Sequence, residues 1–141
     1  MLTAFKVNNN ILSVESPTAG SDWLSDVVWI DLVNPTKEEI QVVEKYSGIS
    51  LPKIQETEEI EASSHYEIYP EGFQINCLFL QKVEEHFSNI NVAFLCNNKC
   101  LISLCALEVL AINLLQKQWQ KSPRSKSDPI SIERLVVTFS E

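Results

Sequence analysis

Apolar and polar positions along this chain fall into short blocks with two different periods. Residues 2–7 and 11–15 are β-type runs separated by Asn8, Asn9 and Asn10. Asparagine tolerates the left-handed backbone that a tight hairpin demands, so the pattern predicts a hairpin. A loop carrying Pro17 and Gly20 follows. Residues 27–33 (VVWIDLV) are apolar everywhere except at Asp31. Such a run suits a strand covered on both faces. Asn34, Pro35 and Thr36 then break it, and Thr36 with Glu39 spells a capping box. Ile40, Val43 and Tyr46 recur at helical spacing, and Gly48 supplies the stop. A second short helix is expected from Pro52 to about Glu61.

The second half alternates again. Residues 66–69 and 73–80 flank Pro70, Glu71 and Gly72, the composition of a hairpin turn. Phe73, Ile75, Cys77 and Phe79 would share one face of that strand, with Leu78 and Leu80 on the other, as in a central strand. Residues 90–96 and 100–105 read as another hairpin around Asn97, Asn98 and Lys99. A helix is predicted over 107–119, with Leu107, Leu110, Ala111, Leu114 and Leu115 as its apolar stripe. Residues 121–128 are polar, contain Pro123 and read as a linker. Asp128 and Pro129 start a last helix, whose Ile132, Leu135, Val136 and Phe139 form one stripe. That pattern is still running at Glu141, so it is expected to lead into something longer. The predicted fold class is α/β: a mixed, largely antiparallel sheet layered with helices on its faces. The expected organisation is an α/β domain over 1–120, a linker over 121–128 and the start of a longer helix over 129–141.

Composition narrows the function classes. At 141 residues and 45% apolar, the chain can bury a real core as one domain. No apolar stretch approaches the ~18–20 residues of a membrane-spanning helix, and the start, with Lys6 and its asparagines, does not read as a secretory signal. The net charge of −8 repels phosphate backbones, so no nucleic-acid partner is expected. An acidic surface instead concentrates cations. The three glycines, Gly20, Gly48 and Gly72, are far apart, which removes Gly-rich phosphate loops. Cys77, Cys96, Cys100 and Cys105 lie in apolar surroundings without a C-x-x-C pair, and read as reduced core residues.

No catalytic constellation stands out, and the chain is not expected to be an enzyme. His65 and His86 sit in no metal-binding pattern, and a nucleophile–base pair of Cys77 with either would need an accessible, electropositive thiol. The sharpest local feature is acidic: Glu56, Glu58, Glu59, Glu61, Glu67 and Glu71 occur with no intervening Lys or Arg. On a helix Glu58 and Glu61 share a face and repel, and a divalent cation would relieve that repulsion; a solvated acidic face is the plainer reading. Its counterpart is Lys117, Lys121, Arg124 and Lys126 with Trp119. That stretch could touch anionic lipid or nucleic acid, and pairing with the acidic stretch within or between subunits is the plainer reading.

Three runs carry a resemblance. They are the start Met1-Leu2-Thr3-Ala4-Phe5, the strand Val28-Trp29-Ile30-Asp31-Leu32-Val33 into Asn34-Pro35-Thr36, and Glu58-Glu59-Ile60-Glu61-Ala62-Ser63-Ser64. With the later strands, they resemble the N-terminal cytoplasmic domain of the CorA family of magnesium and cobalt transporters. The resemblance implies a homopentamer of full-length chains with a cytoplasmic funnel, a stalk helix and two membrane helices around a Gly-Met-Asn pore. Neither that signature nor a span occurs in these 141 residues. It therefore implies a non-conducting regulatory domain on the cytoplasmic side of an inner or plasma membrane, attached through helices C-terminal to it. The family's sensing triplet falls on Thr57-Glu58-Glu59. Metal ligands are thus expected at Glu59, Glu58, Glu56 and Glu61, binding regulatory Mg²⁺ weakly, with Co²⁺ as an alternative ion. Without stalk and membrane helices, a stable pentamer is not expected. The competing readings are a domain of the related zinc transporter group and a generic acidic protein-interaction module.

Overall fold

The computed structural model describes residues 1–8, 11–15, 27–52, 65–69 and 72–121. The strands are β1 (Leu2–Asn8), β2 (Ile11–Glu15), β3 (Trp29–Val33), β4 (His65–Tyr69), β5 (Gly72–Val83), β6 (His86–Asn97) and β7 (Leu101–Cys105). The helices among the described residues are α1 (Lys37–Ser47) and α2 (Leu110–Lys121). The strands form one seven-stranded sheet in the order β2-β1-β3-β7-β6-β5-β4. Every neighbouring pair is antiparallel except β3 and β7, which run parallel from Trp29↔Leu101 to Val33↔Cys105. This is the mixed, largely antiparallel layered sheet that the hydropathy pattern predicts.

Alternation along β3 and β7 sends successive side chains to opposite faces. Ile30, Leu32, Ile102 and Leu104 join Ala4, Val43, Ala93 and Leu95 in a cluster on the α1 side. Trp29, Leu101 and Cys105 join Phe5, Phe94, Val109, Ile112 and Trp119 on the α2 side. The sheet is thus the middle of three layers, which is why its central strands are apolar on both faces.

Helix α1 is capped as its sequence dictates. The Glu39 N–H donates to Thr36 Oγ1 (3.2 Å) and the Thr36 N–H to Glu39 Oε1 (2.9 Å). Gly48 closes the helix at φ 75°, a left-handed conformation costly for any side chain with a Cβ. Glu39 does more than cap: its Oε2 accepts the Leu2 N–H (2.8 Å), and the Met1 ammonium lies 3.4 Å from Oε1. The Asn97 turn holds the other end of α1. Asn97 Oδ1 accepts the N–H groups of Lys99 and Cys100, while Nδ2 donates to the Ser47 carbonyl (2.7 Å). Lys99 Nζ donates to the Tyr46 carbonyl (3.1 Å), placing a cation at the negative end of the helix.

Three details differ from the sequence pattern. Strands β5 and β6 are longer than 73–80 and 90–96, pairing without interruption from Gly72↔Asn97 to Val83↔His86. The turn between them falls at Glu84 and Glu85, with Glu84 at φ 58°, where no Gly or Asn marks it. Leu78 and Leu80 are exposed, so this interior strand is two-faced only over its first half. The third difference is in α2, which starts at Leu110 rather than 107 and buries Ile112, Gln116 and Trp119. Of the predicted stripe, Leu107, Leu110, Ala111 and Leu114 lie exposed, while Leu115 is partly buried against the α2-side core. Two apolar stripes run along this helix, and the one with Trp119 has the larger surface to bury.

The predicted helices over 52–61 and 129–141, and the linker over 121–128, fall almost wholly outside the described residues.

Candidate functional site

The acidic residues singled out from the sequence, Glu56, Glu58, Glu59 and Glu61, all lie outside the described residues. Their frame is described. On one side, Ile49 and Leu51 pack against the α1-side core, and the Leu51 N–H donates to Glu44 Oε2 (3.0 Å). On the other, the chain re-enters at His65, opposite Asn76 of β5 and next to the β4 edge of the sheet. Residues 53–64 therefore connect the α1 layer to the outermost strand. Among the described residues no group of three or more His, Cys, Asp or Glu side chains could hold a metal ion. No helix of these residues is long and apolar enough to cross a membrane.

The other sequence candidates resolve plainly. Cys96, Cys100 and Cys105 are buried, and Cys77 is half-buried. Burial pushes the Cys96 thiol up to about 11 and those of Cys100 and Cys105 up to about 12. Burial also raises Cys77, so none of the four is an activated nucleophile. The register places neither histidine across from Cys77: His65 lies opposite Asn76 and His86 opposite Val83, whereas Cys77 pairs with Val92. In the basic stretch, Lys117 is exposed but Trp119 is only 2% exposed, so its indole is core rather than a lipid or base contact.

The most structured polar feature was not singled out as a site in the sequence. Asp31, the lone charge in the β3 run, is 6% exposed on the α2 side. Ser103 of β7 donates to its Oδ1 (2.8 Å), and Gln116 of α2 donates through Nε2 to its Oδ2 (3.0 Å). The Trp29 Nε1–H in turn donates to Ser103 Oγ (2.9 Å). Burial raises the Asp31 carboxyl above its ordinary value; the Gln116 and Ser103 hydrogen bonds act against that, while the charge of Glu108 adds to it. Both carboxylate oxygens are engaged and shielded, so the group ties α2 to the β3–β7 junction rather than meeting a ligand. A lone Asp in an apolar strand, with a lone Ser in β7, was the available signal.

The described residues thus form a three-layer α/β domain with a buried, hydrogen-bonded Asp31 and thiols raised by burial. The comparisons with known proteins place it further. Residues 25–140 match the family described as CorA-like Mg2+ transporter protein. The magnesium transport protein CorA of Escherichia coli K12 is 36% identical over 115 residues, covering 81% of this chain and 36% of that protein. The complete structure of the CorA magnesium transporter from Methanocaldococcus jannaschii superposes with a TM-score of 0.67 at 17% identity, over 99% of this chain and 48% of that one. The soluble domain of the same archaeal CorA gives 0.66 at 19% identity, over 89% of this chain and 48% of that one. The chain belongs to the CorA-like Mg2+ transporter family, a family of transporters and not of enzymes. It spans about a third of the length of the curated relatives it matches.

Proposed function

We propose that these residues form the cytoplasmic, divalent-cation-sensing domain of a CorA-type magnesium and cobalt transporter, non-conducting by themselves. The observation that carries this reading is the family match over 25–140, which includes the whole acidic stretch. Conduction belongs to membrane helices, and none occurs among the described residues. Transport function in this reading comes from a full-length homopentamer in the inner or plasma membrane, with this domain on its cytoplasmic side.

The sensing chemistry rests on Glu56, Glu58, Glu59 and Glu61, with Glu59 as the principal ligand. Carboxylates facing other carboxylates across a subunit boundary repel when the cation is absent and are bridged when it is present. The ion then binds one assembly state better than another, as any ligand-driven switch requires. On the isolated chain the site is weak. Mg²⁺ wants six oxygens in near-octahedral geometry and gives up water reluctantly, and a short acidic segment offers one or two carboxylates. Sites so sparsely provided fall at roughly 10⁻⁴–10⁻³ M or weaker on the scale of calcium modules.

The test is a magnesium titration of the chain and of Glu59→Gln followed by NMR. The expected result is weak, saturable shifts centred on residues 56–61 that Glu59→Gln diminishes. Micromolar binding, or shifts confined to residues remote from 56–61, would remove the proposal.

A further inference from the structure

Helix α2 is seated on the sheet over a buried ionisable group. Asp31 of β3 is 6% exposed, and Gln116 of α2, which donates to its Oδ2, is 7% exposed. The remaining neighbours of Asp31 belong to the sheet. Ser103 of β7 donates to its Oδ1, and Thr3 of β1 is its uncharged cross-strand partner. Two charges act on it from nearby. Glu108, just before α2, repels it, and the Met1 ammonium attracts it as the weakest of the influences on it. Cys105 of β7 carries a neutral thiol, pushed up to about 12. No Lys or Arg among the described residues forms an ion pair with Asp31.

A buried carboxylate with two hydrogen bonds and no ion pair is costly, and lifting α2 returns it to water. Protonation removes that cost. A neutral carboxyl offers an O–H, and the Gln116 amide, turned end for end, accepts it through its carbonyl. An amide at 116 therefore fits both forms, where a lysine would fit only the ionised one. We propose that α2 is a proton-linked helix, seated more firmly when Asp31 is protonated and lifting more readily when it is ionised. This inference is independent of the cation-sensing reading. Burial raises the Asp31 carboxyl, as the linkage requires, against the opposing pull of Gln116 and Ser103. With α2 lifted the group titrates near 3.8, and with α2 seated it titrates above that. Between the two values the seated helix keeps a proton that the lifted one has lost. The opening constant of α2 therefore climbs with pH through that window, by at most about tenfold per pH unit, and levels off above the seated value.

The test is NMR on the whole 141-residue chain. The Asp31 carboxyl carbon and the Gln116 side-chain amide are followed through a pH titration. Amide exchange along α2, corrected for intrinsic rates, is read over the same range. The expected result is one shared midpoint above 3.8 for the two side chains, α2 opening that rises through the window, and opening that is flat with pH in Asp31→Asn. Gln116→Leu should move the Asp31 midpoint upward, because it removes the strongest of the contacts that hold it down. A merely structural contact would move none of these readouts. A Gln116 amide that ignores the Asp31 titration, or an Asp31 midpoint unchanged in Gln116→Leu, would overturn the proposal. So would a pH slope that persists in Asp31→Asn, or α2 amides that exchange only with the global opening of β6 and β7.

Discussion

The two faces of the sheet are built from alternate residues of the same strands, yet they hold together by different physics. On the α1 side, Ile30, Leu32, Ile102 and Leu104 meet Val43 in a cluster without a charged member. On the α2 side, Trp29, Asp31 and Ser103 interleave with them and add Gln116 to a buried hydrogen-bonded chain. The apolar face tolerates a change of shape at the cost of packing. The polar face sets position: α2 has a single seat where Gln116 reaches Asp31. Burial of apolar surface is non-directional, whereas hydrogen bonds specify geometry.

The largest expected effect lies on the apolar face. Leu104→Ala removes a fully buried side chain between β3 and β6 and should destabilise by ~2–5 kcal/mol, measured by denaturant unfolding, with α2 still seated. Ser103→Ala on the other face is smaller in volume but removes the Ser103 Oγ acceptor of the Trp29 Nε1–H and strips one partner from Asp31. It should cost ~1–3 kcal/mol and also shift Trp29 fluorescence, which Leu104→Ala should change less. If the two variants lose equal stability and leave the same spectrum, the faces do not differ as described.

The smallest effect is on pH dependence, and it has a defined sign. The Asp31 carboxyl is raised above 3.8 in the folded chain, so between that value and its folded value the native state holds more protons than the unfolded. Stability from this group therefore falls as pH rises through that window, and grows on acidification from neutrality. Glu39 acts oppositely. Burial alone would raise it, but the Thr36 and Leu2 N–H groups and the Met1 ammonium bring it below 4.5. Its contribution is present above 4.5 and is lost as pH falls through the lowered value. Asp31→Asn should remove the first limb and leave the second, read from unfolding midpoints between pH 3 and 7, roughly the span over which carboxylates titrate.

What was legible in the sequence was local. Thr36, Glu39 and Gly48 lie within one helix and act on their own neighbours, so the capping of α1 could be read directly. Strand β3 announced its double burial because every residue but one was apolar. The turn at Glu84 and Glu85 was not legible, because two charged residues carry none of the usual turn chemistry and the ladder runs straight into them. The seating of α2 was ambiguous because leucines lie on both of its sides. The Asp31 network was out of reach for a different reason: Ser103 is 72 residues away and Gln116 is 85. Only the fold brings them together. The acidic stretch was legible as a charge pattern, but a ligand geometry needs facing groups that one stretch cannot supply.

The parallel pairing of β3 with β7 also has a consequence for how the molecule is made. During synthesis β1, β2 and β3 emerge first and can pair as an antiparallel ribbon. β3 must then wait for residues 101–105 before its second edge is filled. Through that interval a strand edge that is apolar except at Asp31 stands open, the kind of edge that recruits other chains. Non-local pairing of this sort is also slow once the strands are available. The domain is therefore most vulnerable to aggregation on the ribosome, before Leu101 has left the exit tunnel, and a stall between the two strands would trap it in that state.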